Sequence, residues 1–287
     1  MGALSEKVAI VTGASRGVGR GIALALADEG VTVYVTGRTV IPGSHSLPGS
    51  VGETAAEIGR RGGRGIAVAV DHADDGQVEA LFAQVKREQG RLDILVNNAF
   101  HLPETLTEPG GFWEKPLADY WRMVDVGVRS SYVAARYAAQ MMVPQNAGLI
   151  VATSGYAGVS YAYAVVFGVC KVAVDRMAHD MAVELKPHNV GSLSLCLGLT
   201  FTERAERNLR KYPHLSSAST TDRANGTSVE FPGRLISALA KDPNVMKRSG
   251  GTYIAVELAQ EYGITDLDGK LAPSLRKERG GPLWSPV

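Results

Sequence analysis

Residues 7–19 read Lys7-Val8-Ala9-Ile10-Val11-Thr12-Gly13-Ala14-Ser15-Arg16-Gly17-Val18-Gly19. Lys7–Thr12 is a short β-branched apolar run, the pattern of a strand covered on both faces. Gly17–Glu29 reads as a helix of small residues, ended by Gly30. Between strand and helix, Gly13 permits a tight turn, Gly17 lets a phosphate approach the backbone, and Gly19 lets the helix pack close to the sheet. A helix starting there presents unpaired N–H groups and partial positive charge to an anion. Glycines in this strand–turn–helix context predict a dinucleotide-phosphate site over Gly13, Ser15, Arg16, Gly17, Val18 and Gly19.

The same rhythm continues outward. Strands are predicted at Val31–Thr36, Ile66–Val70, Leu92–Val96, Leu149–Ala152, Val190–Leu195 and Thr252–Val256. Helices are predicted at about Glu53–Arg60, Gln77–Glu88, Leu117–Met142 (stopped before Pro144) and Ala162–Leu185 (stopped by Pro187). Alternation of this kind predicts an α/β fold: a single-domain Rossmann architecture, a doubly wound parallel sheet of about seven strands with helices on both faces. No linker divides residues 1–287, so one domain is expected, with a dinucleotide half over about 5–150 and a substrate half over about 150–270. Three stretches break the rhythm: a Pro/Gly/Ser insertion at 40–51, a loop at 100–116 and a mixed segment at 202–232. Loops at the carboxyl ends of strands usually carry the ligand site.

Charge sets further bounds. There are 30 Lys+Arg against 29 Asp+Glu, a net +1, which argues against a nucleic-acid or polybasic membrane partner. With 45% hydrophobic and 21% charged residues the chain can bury a core. Cys170 and Cys196 read as small buried core residues of a reducing compartment, and no metal site is expected. No apolar run reaches the ~20 residues of a membrane span. The start carries no secretory stretch, and Glu6 stands where a myristoylation motif after Gly2 needs Ser or Thr. A cytoplasmic location is expected.

The glycine spacing, G-x-x-x-G-x-G, resembles that of short-chain dehydrogenases/reductases. So do Asn97-Asn98-Ala99, Ser154, Lys171, and Gly198 with Thr202, in order over residues 5 to about 260. Phe112–Pro116, Val126–Arg129 and Asp266–Lys270 are most similar to the branch called dehydrogenase/reductase family member one. The insertion at 40–51 departs from that branch. The resemblance implies hydride transfer between a nicotinamide dinucleotide and a carbonyl or alcohol, and a homo-oligomer, dimer or tetramer, paired through the helices at 117–142 and 162–185. It places Asp71 at the adenine, His72 as a partly exposed neighbour, Asn98 and Ala99 by the adenosine ribose, Asn97 in a structural role, and Gly198, Thr200 and Thr202 along the cofactor.

An NAD site usually has an acid at the end of the second strand to bind the ribose hydroxyls. This chain has Thr36-Gly37-Arg38 there. Arg38 can pair with a 2′-phosphate, and in the family Arg16 approaches the same corner, so NADP(H) is favoured over NAD(H).

The resemblance assigns proton transfer to a tyrosine thirteen residues after the serine and four before the lysine. The i, i+4 spacing puts tyrosine and lysine on one helix face. Ser154 and Lys171 are in place, but the tyrosine position is Phe167, and an asparagine position matches Gly127. Losing a general acid costs roughly 10²–10⁴ in rate. Tyr163, one helical turn before Phe167, is a substitute candidate; Tyr156 and Tyr161 read as pocket lining. Phe112 and Trp113 read as core or pocket wall. Two readings stay open: an NADP(H)-dependent oxidoreductase with an altered acid, and a dinucleotide-binding pseudoenzyme.

Overall fold

The computed structural model describes residues 2–211 and 225–287. Residues 212–224 of the mixed segment at 202–232 lie outside the described residues. The strands are β1 (Val8–Val11), β2 (Thr32–Gly37), β3 (Arg64–Ala69), β4 (Ile94–Asn97), β5 (Gly148–Gly155), β6 (Val190–Leu197), a short pair β7 (Leu199–Thr200) and β8 (Gly226–Thr227), and β9 (Thr252–Ile254). Seven form one parallel sheet in the order β3-β2-β1-β4-β5-β6-β9. The order reverses between β1 and β4, the crevice where such sheets bind ligands.

The apolar runs serve two cores at once. Val8 and Ile10 face one, with Tyr34 and Leu95; Ala9 and Val11 face the other, with Val33, Val35, Ile94 and Val96. Helices α1 (Gly17–Asp28) and α2 (Val51–Arg60) cover the second core. Helices α3 (Asp75–Gln89), α5 (Ser130–Gln145) and α6 (Val165–Leu185) cover the first. Each fully buried large apolar side chain contributes about 1.5–3 kcal/mol, so both faces of the sheet are strongly specified. No helix among the described residues is long and apolar enough to cross a membrane.

Several boundaries move. Ser50 caps α2 by accepting from the Glu53 amide at 3.1 Å, so that helix starts at Val51 rather than Glu53. The predicted 117–142 helix divides into α4 (Leu117–Val124), a π-helical turn at Asp125–Arg129, and α5. α5 runs through Pro144 and ends where Asn146 turns left-handed at φ 52°. α6 starts at Val165, not Ala162, because Tyr163 is left-handed at φ 63° and cannot extend a helix backward.

Candidate active site

The glycine turn leaves β1 and is stapled from β4. The Thr12 hydroxyl accepts from the amides of Asn98 (2.8 Å) and Ala99 (2.9 Å). The Asn98 side-chain amide donates to the carbonyls of Thr12 (2.8 Å) and Gly13 (3.2 Å). Asn97 donates instead to the Ser131 carbonyl at 3.0 Å, tying β4 to α5. Gly17 has φ 56°, which favours glycine, and a Cβ on Gly19 would lie 2.4 Å from both the Gly13 oxygen and the Asn98 amide nitrogen. Ser15 is buried, and Val18 packs on the core.

This turn fits a diphosphate. Arg16 at the N-cap of α1 supplies no side-chain cap, and the first turn holds no acid, which leaves backbone donors and a positive dipole end facing the crevice. One donor is already matched to an anion of the chain: the Gly17 amide donates to Glu203 Oε2 at 3.0 Å. Glu203 opens helix α7 (Glu203–Lys211), which lies over the turn. Arg204 and Arg207 latch that helix to Glu104 in the loop after β4, at 3.3 and 2.6 Å. Thr202 sits against Gly17 and accepts from the Ala205 amide at 3.1 Å. Thr200 is buried in the β7–β8 pair, 3.5 Å from the Thr227 hydroxyl, and Gly198 is exposed.

At the adenosine end, Arg38 stands 3.9 Å from Asp71. Arg16 is held by the insertion: it donates to Pro48 O (2.9 Å), Gly49 O (2.6 Å) and the Thr39 hydroxyl (3.0 Å). The insertion is therefore a wall of this corner. His72 is not partly exposed but buried, its Nε2 2.8 Å from the Thr36 hydroxyl and its Nδ1 without a partner. Packing of the residues after β3 against β2 encloses the ring, and burial lowers its pKa to about 4.

The second cluster lies at the ends of β5 and α6. Lys171 Nζ donates to the Thr153 carbonyl at 3.1 Å, and the buried Ser154 hydroxyl lies 3.5 Å from the Lys171 carbonyl. Desolvation pushes the Lys171 ammonium below its ordinary pKa. Its ammonium lies 4.4 Å from the Phe100 ring centroid and 5.7 Å from that of Phe167. Phe167 meets Phe100 and Tyr163 edge to face, each at 5.6 Å. Phe100, which the sequence did not single out, fills the space beside Gly127: a Cβ there would meet its ring at 2.3 Å. The tyrosine and asparagine positions are thus joined by one apolar contact.

Tyr163 keeps its place beside Phe167, but from the preceding loop rather than from the helix, and it is half exposed. Tyr156 is buried, its hydroxyl accepting from the Leu275 amide at 3.1 Å. Tyr161 donates to the Tyr163 carbonyl at 3.2 Å. Phe112 and Trp113 are not core but surface, because the short turn at Phe112–Glu114 leaves them exposed, edge to face with each other at 5.4 Å. Cys170 and Cys196 are buried, free thiols.

Comparison with known proteins agrees with this geometry. Residues 7–212 match the short chain dehydrogenase family model. The chain is 40% identical over 274 residues to Dehydrogenase/reductase SDR family member 1 of Mus musculus, covering 93% of this chain and 85% of that protein. The Homo sapiens protein of the same name is 38% identical over 282 residues, with the same coverage. Among solved structures, a short-chain type dehydrogenase/reductase from Mycobacterium marinum superposes with a TM-score of 0.74 at 28% identity, over 88% of this chain and 94% of that one. With a nicotinamide dinucleotide as the cofactor its glycine turn implies and a small molecule as substrate, this chain belongs to the short-chain dehydrogenase/reductase family of oxidoreductases.

Proposed function

We propose that the protein is an NADP(H)-dependent oxidoreductase that interconverts a carbonyl and an alcohol, with Phe167 in place of the usual catalytic tyrosine. The observation that carries this reading is the convergence of the glycine turn with Ser154 and Lys171 at the carboxyl ends of β1, β4 and β5. The bound dinucleotide supplies the hydride. Backbone amides at Gly17 and the start of α1 hold the pyrophosphate. Arg38, at a strand end without an acid, and Arg16 face the 2′-phosphate. Asp71 and the backbone beside Asn98 and Ala99 border the adenosine. Lys171 holds the nicotinamide ribose and adds a positive field, and Ser154 hydrogen-bonds the substrate oxygen.

Residues 1–287 act as one unit in this reading, in the cytoplasm, and as a homo-oligomer. Exposed Tyr132 on α5 and Val165, Val169 and Val183 on α6 support pairing of copies through these helices. A second reading, a dinucleotide-binding pseudoenzyme, is favoured by the aromatic contact of Phe100, Phe167 and Tyr163, which holds no proton donor beside Phe167 other than the Tyr163 phenol. Titration calorimetry with NADPH and NADH, followed by turnover of a panel of small carbonyls, tests both. Tight NADPH binding with turnover supports the enzyme; binding without turnover supports the pseudoenzyme; no binding refutes both.

A further inference from the structure

The insertion at 40–51 closes on itself. Its ends meet where the Val51 amide donates to the Thr39 carbonyl at 3.0 Å. Inside it, the Leu47 amide donates to His45 Nδ1 at 3.0 Å, and the Leu47 side chain is buried. The loop lies directly on the phosphate turn. Gly49 has φ 102°, and a Cβ there would lie 2.4 Å from the Ser15 carbonyl oxygen, so the close approach of the two backbones needs glycine. The link between loop and turn is the Arg16 guanidinium. Its Nε donates to Pro48 O, and its Nη2 donates to Gly49 O and the Thr39 hydroxyl. Arginine has five N–H donors, and the insertion takes none from Nη1. All three acceptors are neutral. Among the described residues no carboxylate lies within ion-pair distance of Arg16, although the side chain is half-buried. Arg38 differs, since Asp71 stands 3.9 Å from it. Burial lowers the Arg16 pKa; Glu203 opposes that, while Arg204 and Arg38 add to it. A partly buried charge usually has a partner of opposite sign, and here the chain fixes the cation without supplying one.

We propose that the insertion sets dinucleotide selectivity by holding the Arg16 guanidinium, before the cofactor arrives, in the orientation that receives the 2′-phosphate. The proposal rests on the reading that NADP(H) binds with Arg16 and Arg38 at that phosphate. A solvated arginine loses rotamer freedom when it takes up a phosphate. One already fixed by three bonds has lost that freedom on folding, which is worth roughly three- to tenfold in affinity. Neutral acceptors suit this task. A carboxylate in their place would fix the guanidinium equally well but cancel the charge that the phosphate needs. Thr39, Pro48 and Gly49 touch Arg16 and act through it, so they are positioning residues. The two guanidiniums answer one phosphate together, and loosening either weakens the preference.

Two adenosine fragments isolate the phosphate: adenosine 2′,5′-bisphosphate carries it, and adenosine 5′-monophosphate lacks it. Calorimetry on the full chain compares the parent with a variant in which Ile41–Gly49 is replaced by Gly-Gly, a shortening that the 3.0 Å closure between Thr39 and Val51 permits. The parent is expected to bind the bisphosphate about tenfold tighter than the monophosphate. The shortened variant is expected to lose roughly three- to tenfold in affinity for the bisphosphate, with the monophosphate unchanged. An unchanged preference overturns the proposal. So does an equal loss on both fragments, which would make the insertion a support of the whole pocket. His45 is the ionisable side chain removed with the loop, so His45→Asn is the control. It should leave both affinities unchanged; if it reproduces the loss, the insertion acts by its own charge and the proposal falls. Should the shortened chain not fold, Thr39→Val takes its place. It keeps the branched side chain, removes one of the three bonds, and is expected to weaken the bisphosphate alone by roughly twofold or more. No change, or an equal loss on the monophosphate, overturns the proposal. A parent that binds both fragments equally, or neither, overturns the NADP(H) reading beneath it.

Discussion

The two halves of the crevice are built from different material. Around β1 and β4 the site consists of backbone: three glycines, the amides opening α1, and the Thr12–Asn98 staple that fixes the turn. Around β5 and α6 the site consists of side chains, and there the expected phenol is a phenyl ring packed on Phe100 and Tyr163. Backbone donors survive most substitutions, provided the glycines remain. A proton donor is lost with one oxygen atom. On the proposed reading, cofactor binding and proton transfer therefore separate, and each half can be perturbed alone.

The largest effect is expected from Gly17→Val. A branched side chain at φ 56° is strained and would press on Thr202 while covering the phosphate approach. NADPH affinity should fall by roughly 100-fold or more, about 2.7 kcal/mol, in a protein whose circular dichroism shows the fold retained. Full affinity in the folded variant would move the dinucleotide off this turn.

Phe167→Tyr addresses the other half. The Lys171 ammonium lies 5.7 Å from the ring centroid of residue 167, and its charge is expected to lower the pKa of a phenol there. Turnover of the carbonyl panel should rise roughly tenfold or more, within the 10²–10⁴ range of acid catalysis, with NADPH affinity unchanged. Tyr163→Phe is the companion measurement: if it abolishes activity in an active parent, the phenol next door has taken the role.

Cofactor choice gives a smaller effect. NADPH should bind about tenfold tighter than NADH, ~1.4 kcal/mol, and Arg38→Ala should remove that difference. Equal affinities in the parent, by calorimetry, would show that Arg38 answers only to Asp71.

The smallest effect concerns Glu203. Its carboxylate accepts from the Gly17 amide, so in the proposed binding mode it would compete with the pyrophosphate for that donor and repel it. An acid at a helix N-terminus is worth about 0.3–1 kcal/mol, so Glu203→Gln should tighten NADPH binding by roughly two- to fivefold. Weaker binding would mean that the carboxylate assists the cofactor by holding α7 over the turn.

The doubly wound parallel sheet and the glycine turn were legible in residues 7–19 and in the alternation that follows. These depend on local signals: β-branched runs, small residues opening a helix, and glycine where φ turns positive. The phenylalanine four residues before Lys171 was legible as well, because i, i+4 spacing on a helix survives translation from sequence to space. What surrounds it was not. Phe100 reaches Phe167 from the end of another strand, and no local pattern announces that contact. Tyr163 reads as helical until its left-handed backbone ends the helix at Val165. His72 reads as partly exposed until β2 brings the Thr36 hydroxyl to it. Arg16 reads as a free cation until the insertion folds back and presents carbonyls at Pro48 and Gly49. Asp175 was visible four residues after Lys171, but its enclosure by Ser194 and the turn at Gly158 joins three separate segments. The sequence by itself determined the sheet and its phosphate turn, since these follow from the conformational preferences of neighbouring residues. Tertiary structure alone decided which polar groups lose water and whom they meet, because desolvation and hydrogen bonding depend on atoms that the chain brings together from far apart.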